Sequence, residues 1–266
     1  MAYEKQTWTT GDVITQEKLN HMEDGIDDMN GSYEKQTWST GDVITQEKLN
    51  YMEEGIAEGN SNIVCTIENE AVTGFMIKTV VVPDGVTSIG QRAFLNAPVN
   101  KVIIPDGVTS IGDTAFQSAA LTNVVIPDSV RSIGTGAFSY CGNLSDITIP
   151  DGVTSIGNAA FRSCAFTKVI IPDGVTSIGE SMFDGCSKLA EVEVPSSVES
   201  IGNYAFRGCQ ALNSMIVRAV TPPTITGYSF YQSNTFIIYV PSESVDSYKA
   251  ANVWKNYESR IQAIPE

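Results

Sequence analysis

Histidine is almost missing from these 266 residues: His21 is the only one. It lies in a duplicated segment whose other copy has Tyr51 at the matching position, so it is not a credible general base. Without a second imidazole, Ser-His-Asp and Cys-His catalysis have no residues to run on. Long apolar runs are also missing. No stretch approaches the ~18 residues that would span a bilayer, and no membrane insertion is expected. Residues 1–8 lack a basic and then apolar leader pattern, and residues 261–266 carry no anchoring or lipidation signal. Positive charge is scarce as well: 16 Lys and Arg face 31 Asp and Glu, a net charge of -15. Such a surface repels phosphate backbones, which excludes nucleic acid as a partner. No glycine-rich phosphate loop follows a strand, and the many Ile-Gly pairs read as repeat turns.

What is present is repetition. The phrase Ile-Pro-Asp-Gly-Val-Thr-Ser-Ile-Gly recurs with prolines at Pro83, Pro105, Pro127, Pro150, Pro172 and Pro195, at spacings of 22, 22, 23, 22 and 23. A phenylalanine follows in each copy: Phe94, Phe116, Phe138, Phe161, Phe183 and Phe206, with a weaker last copy at Phe230 and Pro241. Before each proline lies a triplet such as Val102-Ile103-Ile104, Ile147-Thr148-Ile149 or Val192-Glu193-Val194. Its outer members stay apolar while the middle one varies, which predicts a short strand with one buried face. Pro-Asp-Gly predicts a turn in which Asp satisfies local amides and Gly takes the strained conformation. Ala-Phe predicts a helical turn that drops its phenylalanine into the middle. One such unit cannot bury its own apolar face, whereas stacked units share a continuous core.

The middle triplet residues form an outward column of Val81, Ile103, Val125, Thr148, Ile170 and Glu193. A second column holds Lys101, Asn123, Asp146, Lys168 and Glu191. Strands stacked at about 4.8 Å would set both along one face. β-branched residues favour any sheet, but solenoids commonly bind through such extended faces, so these eleven positions are the candidate ligand-binding residues. Cys141, Cys164, Cys186 and Cys209 each fall three positions after a phenylalanine, where other copies have Ala97, Ala119 and Ser233. That predicts a ladder of small buried side chains; zinc needs ligands that converge, and a ladder does not. The Asp84, Asp106, Asp128, Asp151 and Asp173 row is explained by its turns rather than by calcium. No catalytic residue, metal or cofactor is assigned.

The 22–23-residue unit resembles the BspA-like leucine-rich repeat of bacterial and some protist surface proteins, over about residues 63–264. The resemblance implies a β-rich solenoid of short strands and helical turns. Residues 61–218 would form the solenoid, with Cys65-Thr66-Ile67 in its first segment. Residues 219–266 would form a C-terminal cap through Thr221-Pro222-Pro223, Val240-Pro241 and Trp254. It also implies a binding protein rather than an enzyme, with a protein or glycan ligand on a host or mucosal surface.

Residues 1–60 are different material, with 4 Lys against 13 Asp and Glu. Residues 3–26 and 33–56 are near-duplicates that differ only at Thr9/Ser39, His21/Tyr51 and Asp24/Glu54. Thr15 and Thr45 are placed as helix N-caps. Leu19, Met22 and Ile26, and again Leu49, Met52 and Ile56, make an apolar stripe at helical spacing. A helix this short needs a partner surface. The module, with Trp8 and Trp38 before each helix, resembles N-terminal modules of phage and prophage fibre proteins. That resemblance implies a virion accessory protein of head- or tail-fibre type, mounted on a capsid or tail protein by an α-helical arm and located on the phage particle. A homotrimer is the first assembly expected of such an arm. A BspA-like bacterial cell-surface adhesin is the other reading.

Overall fold

The computed structural model describes residues 77–265 apart from Pro83, Asp84 and Asn234, together with the backbone of Val43–Ile44. The arm helices, Trp8, Leu19, Met22, Ile26, Trp38, Leu49, Met52, Ile56 and Cys65 lie outside the described residues.

The described residues form a parallel-strand solenoid in which every coil repeats three runs. The first run is the triplet strand: β2 (Ile77–Val81), β4 (Val99–Ile103) and β6 (Asn123–Val125) pair in parallel, as do β9 (Lys168–Ile170), β11 (Glu191–Val194), β13 (Ser214–Val217), β15 (Ile237–Val240) and β16 (Ile261–Ala263). The second run is the Ser-Ile pair: β3 (Ser88–Ile89), β5 (Ser110–Ile111), β7 (Ser132–Ile133) and β8 (Ser155–Ile156), then β10 (Ser177–Ile178), β12 (Ser200–Ile201) and β14 (Thr224–Ile225). At the open end of this second sheet, β1 (Val43–Ile44) pairs with β3.

Inward positions of both runs are closed off from water: Val102, Ile104, Val108 and Ile111 in one coil are all buried. Between them run the phenylalanine rings. From Phe94 to Phe230 successive rings stack with centroids 4.8–5.8 Å apart and planes within 5–17°. Burying each ring is worth about 1.5–3 kcal/mol, and each stacked pair about 0.5–1.5 kcal/mol more.

Three features depart from the expectations above. The strand expected at Ile147-Thr148-Ile149 is not hydrogen-bonded as one, although Ile147 and Ile149 are buried and Thr148 exposed. Length alone does not explain this: Pro150 falls twelve positions after Phe138, but Pro195 also falls twelve after Phe183, and β11 before it is a paired strand. The inward-outward pattern survives in this coil and the ladder does not.

The Ala-Phe run is not a helical turn but a chain of tight turns forming a third ladder. Phe94, Phe116, Phe138 and Phe161 donate their N–H to Ala115, Ala137, Ala160 and Met182 of the next coil. The chain turns sharply because residues two before and two after the phenylalanine are left-handed, as at Thr114 (φ 53) and Ser118 (φ 57).

Finally, the glycine of Pro-Asp-Gly has positive φ at Gly85; its equivalents Gly107, Gly152 and Gly174 are not among the positive-φ residues. Small size is what this corner needs, since a Cβ on Gly174 would meet the Val153 carbonyl at 2.9 Å. Where serine replaces glycine it bonds that carbonyl instead: Ser129 Oγ to Val108 O at 2.7 Å and Ser197 Oγ to Val175 O at 2.8 Å.

The coil pattern runs on into residues 219–240, with β14, Phe230 and β15. Closure follows through a 3-10 turn (Ser242–Ser244), α1 (Val245–Ala250), a second 3-10 turn (Trp254–Arg260) and β16. Phe236, Trp254 and Tyr257 meet Phe230 tilted or edge-on, which ends the stack. Tyr248 Oη donates to Ala219 O at 2.7 Å and Trp254 Nε1 to Pro223 O at 2.6 Å, tying the cap to the last coil.

Candidate binding surfaces

The triplet strands place the candidate residues in the two columns their spacing implies. Val81, Ile103 and Val125 are in register, as are Ile170 and Glu193; Lys101 aligns with Asn123, and Lys168 with Glu191. Thr148 and Asp146 lie in the unpaired coil between, both exposed. Val125 and Ile170 are 56% and 54% exposed, so the middle of the face is apolar and open. Its far end is charged and self-paired: Lys168 Nζ lies 3.3 Å from Glu191, and Arg218 Nε 2.5 Å from Glu193. Exposed pairs like these contribute about 0–1 kcal/mol and remain free to exchange for a ligand's charge. Register carries the first column onward from Glu193 to Ile216, Tyr239 and Gln262. Sequence reasoning missed these because the Pro-Asp-Gly signature is gone after Pro195. Counting 23 positions twice from Glu193 would have found Ile216 and Tyr239.

Four cysteines lie in the described interior. Cys141, Cys164, Cys186 and Cys209 are free and buried, and each thiol donates to the carbonyl of the preceding coil's phenylalanine, Phe116, Phe138, Phe161 and Phe183, at 3.0–3.3 Å. Ser233 does the same to Phe206. Burial pushes the Cys141 and Cys186 thiols up to about 12, and Cys164 and Cys209 upward as well. A thiol held protonated is neither a nucleophile nor a metal ligand. Among the described residues, no three His, Cys, Asp or Glu are grouped to hold a metal, and no helix is long and apolar enough to cross a membrane.

A second outward surface lies on the turn run and was not anticipated. Asp184, buried, is held by two arginines: Arg207 donates Nε and Nη2 at 2.7 and 2.5 Å, and Arg162 Nε lies 3.2 Å away. The Arg162 guanidinium stands over the Tyr140 ring at 5.3 Å and that of Arg207 over Tyr204 at 4.7 Å. Tyr204, Tyr228 and Tyr231 adjoin one another, with centroids 5.6 and 6.1 Å apart.

A stack of 22–23-residue coils with two sheets, a phenylalanine spine and an aromatic cap matches one family description. The BspA-type leucine-rich repeat region, in six copies, covers residues 65–190 and 176–255. The chain belongs to the BspA-type leucine-rich repeat family. Solved leucine-rich repeat structures are similar to it. One is a leucine-rich repeat protein of T. pallidum, 30% identical over 50% of this chain and 77% of that one, with a TM-score of 0.43. Another, from Bacteroides ovatus, is 20% identical over 66% and 70%, with a TM-score of 0.41. A leucine rich cell surface protein from Faecalibacterium prausnitzii is 24% identical over 71% and 64%, with a TM-score of 0.35. No curated protein matches. The phage-fibre likeness of the arm finds no support in these comparisons.

Proposed function

We propose that this chain is a BspA-like bacterial cell-surface adhesin, a non-catalytic binding module whose triplet-strand face takes a protein or glycan ligand of a host or mucosal surface. The observation that carries the reading is the family membership across residues 65–255, a repeat that resembles those of bacterial surface proteins. The open apolar centre at Val125 and Ile170 supplies the contact surface, and exchangeable ion pairs border it. This reverses the order of the two readings drawn from sequence. The virion role rests on the arm alone, and the family supports the surface role better. Residues 1–60 keep an attachment or oligomerisation role in this proposal, through Leu19, Met22 and Ile26 and their copies. The test is labelling of intact cells that express the chain, using an antibody to the solenoid. Labelling without permeabilisation is expected. Labelling only of released phage particles would overturn the surface reading in favour of the virion one.

A further inference from the structure

We infer that the turn run of the last coils carries a second binding site, for a carboxylate-bearing glycan, built from Tyr204, Tyr228 and Tyr231 beside the Arg162–Asp184–Arg207 row. Binding-module use of the solenoid is assumed from the reading above; use of the triplet-strand face is not.

The tyrosines are not there for the fold. Two residues before the phenylalanines from Phe94 to Phe206 the backbone is left-handed, and other coils fill that place with Arg92, Thr114, Gly136, Ala159 or Ser181, so the position does not call for an aromatic ring. A bulky side chain is disfavoured in that conformation, yet Tyr204 adopts it at φ 57, and Tyr140, two after its phenylalanine, at φ 62. Tyr228 and Tyr231 are 55% and 48% exposed, with no core to fill.

The charge at the row points to the ligand. Two guanidiniums and one carboxylate leave a surplus of one positive charge on a chain of net charge -15. Because Asp184 is buried between them, both guanidiniums are pinned before any ligand arrives, which lowers the ordering cost of binding. Arg offers planar donor pairs suited to a carboxylate. Tyrosine rings offer flat apolar faces to the C–H side of a pyranose and hydroxyls to its rim. Coils repeat at about 4.8 Å, close to the length of one sugar unit, so successive units of a chain can meet successive coils. A peptide fits less well. Strand addition needs unpaired N–H groups, whereas those of this run are committed from coil to coil, as Phe206 to Ser229 and Gly208 to Tyr231.

Calorimetry on the full chain tests this with three probes: tetragalacturonate, its methyl ester, and hexaglutamate. Tetragalacturonate is expected to bind, the uncharged ester at least about tenfold more weakly, and the peptide not measurably. Tyr228→Ala with Tyr231→Ala should weaken tetragalacturonate at least about tenfold, while the paired Phe replacements, which keep the rings, should stay within about threefold of the parent. Arg162→Gln should erase the preference for acid over ester. Val125→Asp with Ile170→Asp should leave tetragalacturonate binding within about threefold of the parent, and a larger loss there would move the glycan to the triplet-strand face and overturn the inference. The inference is overturned if tetragalacturonate does not bind, if the alanine pair binds it as well as the parent, or if hexaglutamate binds equally. A negative result here leaves adhesion through the other face standing.

Discussion

The tightest constraints act on single residues whose side chains would have to occupy a neighbouring coil. A Cβ on Gly134 would come within 2.6 Å of the Asp113 backbone nitrogen, which no rotamer can relieve. Gly134→Ala is therefore predicted to destabilise by roughly 1–3 kcal/mol as an overpacking change, read as a lower urea midpoint; an unchanged midpoint would mean the coils can separate locally. The cysteine ladder makes a prediction about pH. Unfolded thiols ionise above about 8.5, while Cys141 and Cys186 keep their protons up to about 12. The native state then binds more protons, so stability falls as pH rises through that window. Urea melts at pH 8 and pH 10.5 should show the fall, and Cys141→Ala with Cys186→Ala should reduce it, leaving the part that Cys164 and Cys209 contribute. Alkylation in denaturant without reductant should modify Cys141, Cys164, Cys186 and Cys209; a mass two adducts short would reveal a disulfide.

Elements here stand or fall with their neighbours, because no strand exceeds five residues among those described and each coil is half of someone else's core. Removing one ring from the middle of the spine should thus be felt on both sides. Phe138→Ala is predicted to cost about 3–5 kcal/mol, with amide exchange accelerated in the coils of Phe116 and Phe161 and little changed near Trp254. Uniform acceleration would contradict the nearest-neighbour picture. The triplet strands could be read from sequence because both the period and the two-residue alternation survive in apolar side chains, whereas the Ser-Ile strands, two residues each, are too short to show an alternation. Two things were hidden for physical reasons. Left-handed residues on the turn run include Arg92, Ala159 and Tyr204, and they share no side-chain type, so the third ladder leaves no composition signal. The Tyr204–Tyr228–Tyr231 cluster exists only after that ladder sets coils in register. The lapse at Ile147-Thr148-Ile149 leaves no mark in the sequence: the alternation is intact there, and the extra residue before Pro150 also stands before Pro195, where the strand forms.

The molecule as a whole is a one-dimensional stack, closed at one end by Tyr248 and Trp254 and bordered at the other by β1. Taking away residues 1–60 removes β1 and leaves Ser88–Ile89 as a sheet edge. The fragment 61–266 is nevertheless predicted to melt cooperatively, with exchange protection lost only around that pair, since its core spans Val80 to Ile261; aggregation would place the domain boundary wrongly at 60/61. The arm should show itself in mass. Leu19→Asp with Leu49→Asp is predicted to shift light scattering from an oligomer, a trimer first, to the monomer, and monomers in both forms would end the assembly role. Adhesion through the triplet-strand face can be measured by surface plasmon resonance over immobilised mucin and matrix glycoproteins. The parent chain should bind at least one of them saturably, and Val125→Asp with Ile170→Asp, which place two carboxylates on the open apolar centre, should weaken that binding at least about tenfold without moving the melting temperature. Saturable binding that the double variant leaves intact, or no saturable binding by the parent, would contradict it.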